Sequence, residues 1–185
     1  MSKKINCKEA ILDAAEKVVL EAGAAHMSLD HVAQKADVSK GGLMYHFPNK
    51  ECLLRAMLSR LISQIYADRE QRLKKLTERP NRIIKAGILT TLNRNEKRNR
   101  TGQALLAVMS HDPDLVAPMR KAYQDHLEEL KTSGVKFEKT AILSLAADGL
   151  LFLELLRVSP FNDSQRTKIE NEIVRQIDNE IENNE

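Results

Sequence analysis

The chain has 185 residues, of which 42% are hydrophobic, so it can bury the core of one large domain or of two small ones. Its net charge is only +3, because 29 Lys and Arg residues are offset by 26 Asp and Glu residues, and total charge therefore does not by itself indicate a nucleic-acid partner. No run of about 18 apolar residues is present, so no membrane-spanning helix is expected.

The N-terminal sequence and the two cysteines predict the cellular location and the redox state. The first residues carry acids inside their apolar stretch and lack the core of a signal peptide, so a cytoplasmic protein is expected. Cys7 and Cys52 are isolated, without C-x-x-C spacing, and are interpreted as reduced structural residues. His111 and His126 have no metal-ligand partner four residues further on, so neither a metal nor another cofactor is expected.

Apolar residues recur at spacings of three and four along the chain, which predicts an all-α fold. The first helix ends at Gly23. Ser28 is placed to cap a second short helix, and Ser39 to cap a third that runs to about Phe47. The alternation typical of β-strands is not seen.

The rest of the chain continues the helical pattern in longer segments. Helices are predicted at about 50–77, 83–92, 105–109, 113–134, 142–156 and 169–181. The polar and basic segment 93–100 is predicted to be an exposed loop. The total is about nine helices, and the predicted domains are residues 1–50 and residues 51–185.

The segment from Ser28 to Glu51, SLDHVAQKADVSKGGLMYHFPNKE, carries the clearest functional pattern. It predicts two short helices joined by a tight turn, which is the layout of a helix-turn-helix whose second helix enters the major groove of DNA. Gly41 and Gly42 open that second helix, although each glycine costs about 1 kcal/mol relative to alanine. Missing side chains let a backbone approach another surface closely, and amides at a helix start suit phosphate.

The side chains around the glycine pair fit the same interpretation. Tyr45 and His46 carry donors that reach phosphate oxygens, and Lys40 and Lys50 add positive charge on either edge. Leu43 is spaced to face the core. An alternative is that the glycine pair marks a loop and that Tyr45 packs internally.

Residues 8–58 resemble the DNA-binding domain of the TetR family of bacterial transcriptional regulators, and VSKGGLMYHFPNKE is the most specific part of the match. The resemblance implies a homodimer, with a three-helix N-terminal domain, a connecting fourth helix and a helical ligand-binding domain in each subunit. Gly42 departs from the Thr, Ala or Asn frequent at its place. The DNA-contacting positions that the resemblance implies are Ser28, Lys40, Gly41, Gly42, Leu43, Tyr45, His46 and Lys50.

The C-terminal two thirds resemble the family in helix pattern only, apart from the phrase AADGLLF, so no ligand is implied. A pocket for a small-molecule effector is expected between about residues 57 and 152, with plain core as the alternative for its apolar positions. An unpaired charge in an apolar helix is costly, so Asp148 is expected to bind a cationic ligand, pair with an arginine or face solvent. The candidate lining residues are Met57, Leu61, Ile65, Leu89, Leu105, Met109, Tyr123, Leu127, Asp148 and Phe152.

Segments 139–157 and 164–183 are the candidates for dimerisation. Ala146 and Gly149 present small surfaces that allow close approach of helices. Ordinary intramolecular core is the alternative. The candidate interface residues are Leu145, Ala146, Gly149, Leu153, Ile173 and Ile177.

These patterns predict a ligand-responsive transcriptional regulator, with a repressor released from a near-palindromic operator by a small molecule as the leading hypothesis. The sequence contains no G-x-S-x-G, H-E-x-x-H, P-loop or paired-carboxylate pattern, so an enzyme is not expected. The alternative is a helical adaptor that uses its first domain to contact proteins. Salt separates the two hypotheses, because DNA affinity falls steeply with added salt and apolar docking does not.

Overall fold

A computed structural model of the chain describes residues 6–109 and 113–179, and these residues form nine α-helices and one short 3-10 helix without any β-strand. The all-α fold and the number of helices predicted from the sequence are confirmed. In the same residues no helix is both long and apolar enough to cross a membrane. The elements are α1 (Cys7–Ala22), α2 (Leu29–Lys35), α3 (Lys40–His46), α4 (Lys50–Leu73), α5 (Arg82–Leu92), α6 (Glu96–Met109), the 3-10 helix (Pro113–Val116), α7 (Ala117–Thr132), α8 (Phe137–Leu155) and α9 (Asp163–Asn179).

The described residues divide into two compact units. Unit 1 comprises those up to Ile62 together with Glu96–Arg120, and unit 2 comprises Ser63–Asn95 and those from Lys121 onward. Helix α4 contributes to both units. The functional boundary predicted after residue 50 divides the chain differently and stays a prediction.

The core of unit 1 is formed by the apolar faces of α1, α2, α3 and the first part of α4. Full burial of one aliphatic side chain contributes about 1.5–3 kcal/mol, so a few of them stabilise this small unit substantially. Gly23 ends α1 at a φ of 84°, a left-handed conformation that favours glycine. The side chains buried most completely are Ile11, Ala15, Val18, Val32, Leu43 and Leu53.

Two serines begin α2 and α3 as the sequence predicts. The Ser28 hydroxyl accepts a hydrogen bond from the His31 amide at 3.2 Å, and the Ser39 hydroxyl accepts one from the Gly42 amide at 3.0 Å. Between the two helices Asp37 adopts a φ of 55°, which aspartate tolerates better than most residues. The helix-turn-helix layout is therefore fixed by local chemistry at both helix starts and in the turn.

The segment 93–100 is only in part the exposed loop predicted from its polarity, because residues 93–95 lie outside a helix and most of the segment is exposed, but residues 96–100 are helical. Helix α6 begins at Glu96, and Arg98 and Thr101 on this helix are buried within unit 1. The prediction of a loop at residues 96–100 was wrong because polar side chains of α6 contact Glu16 of α1, which lies more than 80 residues earlier in the sequence. A local pattern carries no information about such a partner.

The core of unit 2 lies among α5, α8 and α9. It is formed by isoleucine, leucine and alanine side chains that include Ile84, Leu143 and Ile177. Asn81, only 2% exposed, donates its side-chain N–H to the Ile177 carbonyl at 2.6 Å. The buried Arg166 guanidinium of α9 lies 2.6 Å from Glu154 of α8, which fixes the first turn of α9.

Candidate functional site

The exposed face of α3 is the central feature of the candidate site. Tyr45 is 85% exposed, and its ring meets the His46 ring edge-on with 5.2 Å between the centroids. The ring contact restrains both side chains while leaving Tyr45 open to a partner. The alternative in which Tyr45 packs inside the molecule does not hold.

The two glycines of α3 differ in what their missing side chains allow. A Cβ atom added at Gly42 would lie 3.2 Å from the Ser39 hydroxyl that caps the helix. A side chain at this position would therefore crowd the helix cap. A Cβ atom added at Gly41 would meet nothing within 4 Å. Gly41 is exposed and its φ is not positive, so neither the packing of unit 1 nor the backbone conformation requires a glycine there.

The start of α3 leaves backbone amide groups exposed to a partner. In an α-helix the first amide groups have no partner within the helix, and the helix dipole adds partial positive charge there. Ser39 satisfies the Gly42 amide, which leaves the amides of Lys40 and Gly41 as the outermost groups of the helix start. No acidic residue lies in the first turn of α3. Two backbone amides at this end therefore have no hydrogen-bond partner within the helix.

Two lysines flank α3, and both already have partners. The Lys40 amine lies 3.0 Å from the Asp30 carboxylate of α2. The Lys50 amine, at the start of α4, donates to the Ala25 carbonyl at 2.8 Å. Lys40 is the first residue of α3, Lys50 is the first residue of α4, and Ser28 is exposed just before α2. Contact of these three residues with DNA stays a prediction.

Leu43 does not belong with the exposed side chains of α3. It is 0% exposed and packs in the core of unit 1, four residues before Phe47, which is 3% exposed. The spacing of Leu43 predicts that it faces the core, and its burial confirms this. The implied DNA contact by its side chain is therefore corrected, because Leu43 faces the core whereas Tyr45 on the same helix faces water.

A buried polar cluster in unit 1 was missed by the sequence analysis. Glu16 of α1, 7% exposed, lies 3.0 Å from the Arg60 guanidinium of α4. It also accepts a hydrogen bond from the Thr101 hydroxyl at 3.0 Å and lies 3.1 Å from the Lys97 amine, both on α6. The available signal was an acidic stripe at residues 9, 13 and 16, spaced for one face of α1.

Two family models match this chain. The model described as "Bacterial regulatory proteins, tetR family" matches residues 11–57, and the model described as "Tetracyclin repressor-like, C-terminal domain" matches residues 81–178, which is more than half of the chain. The chain belongs to the tetR family of bacterial regulatory proteins. The family resemblance of the α1–α4 region is thereby confirmed, and the chain is a DNA-binding transcriptional regulator by family.

Solved structures give the same TetR fold along nearly the whole chain. A transcriptional regulator from Rhodococcus sp. Rha1 is 24% identical with a TM-score of 0.69, and 95% of this chain and 96% of that chain are covered. The fatty acid degradation regulator FadR from Bacillus halodurans is 15% identical with a TM-score of 0.67, and the coverages are 95% and 96%. A TetR family transcriptional regulator from Pseudomonas syringae pv. tomato str. DC3000 is 16% identical with a TM-score of 0.61, and the coverages are again 95% and 96%.

In unit 2 of this TetR-family protein, Asp148 has a defined environment. The Tyr123 hydroxyl of α7 donates to the Asp148 carboxylate of α8, and burial raises the pKa of Asp148 although this hydrogen bond and nearby His126 act to lower it. Burial, together with the adjacent carboxylate, also raises the pKa of Tyr123. The His126 ring lies 3.3 Å from the Ser144 hydroxyl. Of the three roles left open for Asp148, an arginine pair is not formed in the described residues.

The residues predicted to line an effector pocket fall into both units. Met57, Leu61 and Leu105 are core residues of unit 1. The side chain of Met109 lies outside the described part of the chain. Tyr123 and Leu127 of unit 2 are 44% and 38% exposed, while the remaining members, Ile65, Leu89, Asp148 and Phe152, are half-buried. A pocket that joins all ten residues stays a prediction.

The outer face of α8 carries an exposed apolar stripe. Ile142 is 63% exposed and Leu145 is 68% exposed. Ala146 and Gly149 are exposed beside them, and a Cβ atom added at Gly149 would meet nothing within 4 Å. These four residues recur at spacings of three and four, so they form one strip along the helix. Leu153, half-buried, continues it.

Two predicted interface residues are corrected. Ile173 and Ile177 of α9 are 4% and 0% exposed within the single chain, and both belong to the core formed with α5 and α8. Their four-residue spacing was interpreted as an interface pattern, but the same spacing serves an internal core. The intramolecular alternative is correct for Ile173 and Ile177, while an interface formed by other residues of segment 164–183 stays a prediction.

Proposed function

We propose that this TetR-family protein is a homodimeric repressor whose hold on a near-palindromic operator is released by a small-molecule effector. The observation that supports DNA binding through α3 is the exposed surface of this helix. A Cβ atom at Gly41 would meet nothing within 4 Å, so packing does not require a glycine there, and the Tyr45 side chain is 85% exposed. We also infer a cytoplasmic location, because a bacterial operator lies there.

The proposed mode of DNA binding places α3 in the major groove. Gly41 permits close approach of the backbone, and the amides at the helix start meet phosphate together with Tyr45. Lys40 and Lys50 supply charge at the two edges once they leave their internal partners. The remaining positions proposed to lie near DNA are Ser28, Gly42 and His46.

A second copy of the chain is proposed to cover the exposed stripe of α8. The side chains of Ile142 and Leu145 would be shielded from water by the equivalent helix of the partner, and Ala146 and Gly149 would let the two helices approach closely. A two-fold dimer suits a palindromic operator, since two α3 helices would then be separated by about 34–36 Å or a multiple of this spacing.

The effector is proposed to be an organic cation that binds beside Asp148. This carboxylate is half-buried in an apolar helix, and its neighbours are a phenol and an imidazole rather than a paired arginine or lysine. A cationic ligand would compensate the buried negative charge, and the half-exposed ring of Tyr123 offers an aromatic surface for it. For release, the cation must bind the DNA-free state more tightly than the DNA-bound state.

The DNA-binding proposal is tested by selecting bound fragments from a fragmented genome. The full chain should enrich one or a few near-palindromic sequences, and its affinity for them should fall steeply between low and moderate salt. An adaptor that contacts proteins through α3 would show no enrichment and little response to salt. That result would refute the DNA-binding proposal.

The effector proposal is tested with matched ligands that differ in charge. Quaternary ammonium compounds and their neutral carbon isosteres are titrated into the protein and followed by thermal shift and by release of the selected operator. Only the cations should bind, and Asp148→Asn should remove this preference while leaving operator affinity unchanged. Equal binding of both ligand series would refute the cationic class without touching the DNA-binding proposal.

A further inference from the structure

A carboxylate lies directly beside the surface proposed to meet DNA. Asp30, in the first turn of α2, holds the Lys40 amine at 3.0 Å and 3.1 Å from its two oxygens. Both side chains are exposed, 67% for Asp30 and 59% for Lys40. Lys40 is the first residue of α3, so this ion pair connects the starts of the two helices of the helix-turn-helix.

Asp30 and a DNA phosphate would bind the same ammonium group of Lys40. Each is an anion that satisfies the ammonium group through charge-assisted hydrogen bonds. If Lys40 turns to phosphate, the Asp30 carboxylate loses its partner at a surface that carries dense negative charge. If Lys40 stays with Asp30, its positive charge is largely cancelled. In both arrangements Asp30 opposes binding.

We propose that Asp30 is an internal competitor of DNA phosphate for Lys40, and that it lowers the affinity of the protein for DNA of any sequence. The inference rests on the proposed DNA binding through α3. Asp30 acts through Lys40 and is a positioning residue. Its effect is independent of base sequence, so it weakens nonspecific binding in the same proportion as operator binding.

The test compares Asp30→Asn with two matched variants. Asp30→Glu keeps the charge and can still reach Lys40. Glu21→Gln removes one negative charge from the same unit by breaking the 2.8 Å pair with Lys35, which is not among the proposed DNA contacts. Thermal unfolding of every variant checks that α2 still forms without Asp30 near its first turn.

Affinity for the selected operator and for unrelated duplex DNA is measured at several salt concentrations. An exposed ion pair shifts an equilibrium by at most about fivefold. Asp30→Asn should therefore tighten binding about two- to fivefold per subunit on both DNAs. Asp30→Glu should remain near the wild type, and Glu21→Gln should change binding much less than Asp30→Asn.

A double-mutant cycle isolates the competition for Lys40. In a Lys40→Gln background, Asp30→Asn should lose most of its effect, because the contested cation is gone. An equal gain in both backgrounds, or an equal gain from Glu21→Gln, would overturn the inference in favour of a general charge effect. Weaker operator binding by Asp30→Asn with unchanged nonspecific binding would overturn it in favour of direct base contact. Failure of the wild type to bind DNA would instead refute the proposed function.

Discussion

The Glu16 carboxylate lies 3.0 Å from the Arg60 guanidinium, and this pair joins α1 to α4 inside unit 1. The Glu16 side chain is 10% exposed and the Arg60 side chain 17%, so water screens the pair far less than it screens a surface pair. Arg60 also contacts Asp13 at 2.7 Å, and Glu16 also accepts from Thr101. The Glu16 carboxylate therefore connects three helices of unit 1, namely α1, α4 and α6.

Replacing Glu16 with glutamine should destabilise unit 1. The variant keeps the size of the side chain but removes the charge that compensates Arg60 and Lys97, and the loss is expected to be about 1–3 kcal/mol in the free energy of unfolding. Urea denaturation followed by circular dichroism measures it. The matched control is Glu21→Gln, an exposed acid on the same helix, which should lower the free energy of unfolding much less than Glu16→Gln does. Similar losses in both variants would contradict the buried cluster.

A methyl group at Gly41 should separate stability from DNA binding. Gly41→Ala is expected to raise the free energy of unfolding by up to about 1 kcal/mol, because alanine favours the helix and the added Cβ meets nothing within 4 Å. The same variant should weaken operator binding, and Gly41→Val should abolish it with helicity intact. Fluorescence anisotropy with labelled operator gives the affinities. Normal affinity of both variants would end the argument for close backbone approach.

The Tyr45 hydroxyl is expected to bind phosphate rather than a base. Tyr45→Phe should weaken binding to operator and unrelated DNA alike, by about tenfold or more if the bond is worth the usual 1.5–3 kcal/mol of a hydrogen bond to a charged group. The 85% exposure of Tyr45 means that folding stability should stay unchanged. A loss confined to the operator would instead assign Tyr45 to base recognition.

An acid on the outer face of α8 should separate the subunits. Leu145→Asp places a charge in the middle of the apolar stripe, where the second copy would have to bury it, so sedimentation should report monomers and operator affinity should fall. Asn171→Asp, on the exposed polar face of α9, is the matched control and should leave the dimer intact. Dimers of Leu145→Asp would move the interface away from α8.

Asp148→Asn should stabilise the protein more at neutral pH than at acidic pH. Because burial raises the pKa of Asp148 in the folded state above 3.8, its ordinary value, the folded protein keeps this proton longer than the unfolded chain. The free energy of unfolding therefore falls as the pH rises from 3.8 to the raised pKa, and the penalty persists above it. Asparagine removes the penalty. Denaturation curves give the free energy of unfolding of Asp148→Asn and of the wild type across this pH range. The difference between the two proteins should grow as the pH rises, and a difference that does not change with pH would contradict a raised pKa of Asp148.

Local chemistry explains why much of the fold could be predicted from the sequence. Ser28 and Ser39 each accept a hydrogen bond from an amide three residues further on, and the regularly spaced apolar residues of α1 are buried in unit 1. The sequence pattern alone was therefore sufficient to predict these helices. The start of α6 could not be found in this way, since its polar residues are stabilised by Glu16 on another helix. The spacing of the α9 isoleucines was visible, but it does not distinguish a core from an interface.

The isoleucines of α9 also decide how a shortened protein would behave. Ile173 and Ile177 fill the interior beside Ile84 and Leu143, and the backbone of Ile177 accepts the amide of the buried Asn81. A chain that ends before residue 173 would expose the core side chains of α5 and α8 to water and would leave the Asn81 side-chain amide without its acceptor. Such a fragment should aggregate, so a loss of regulation would result from unfolding of unit 2 and would carry no information about dimerisation.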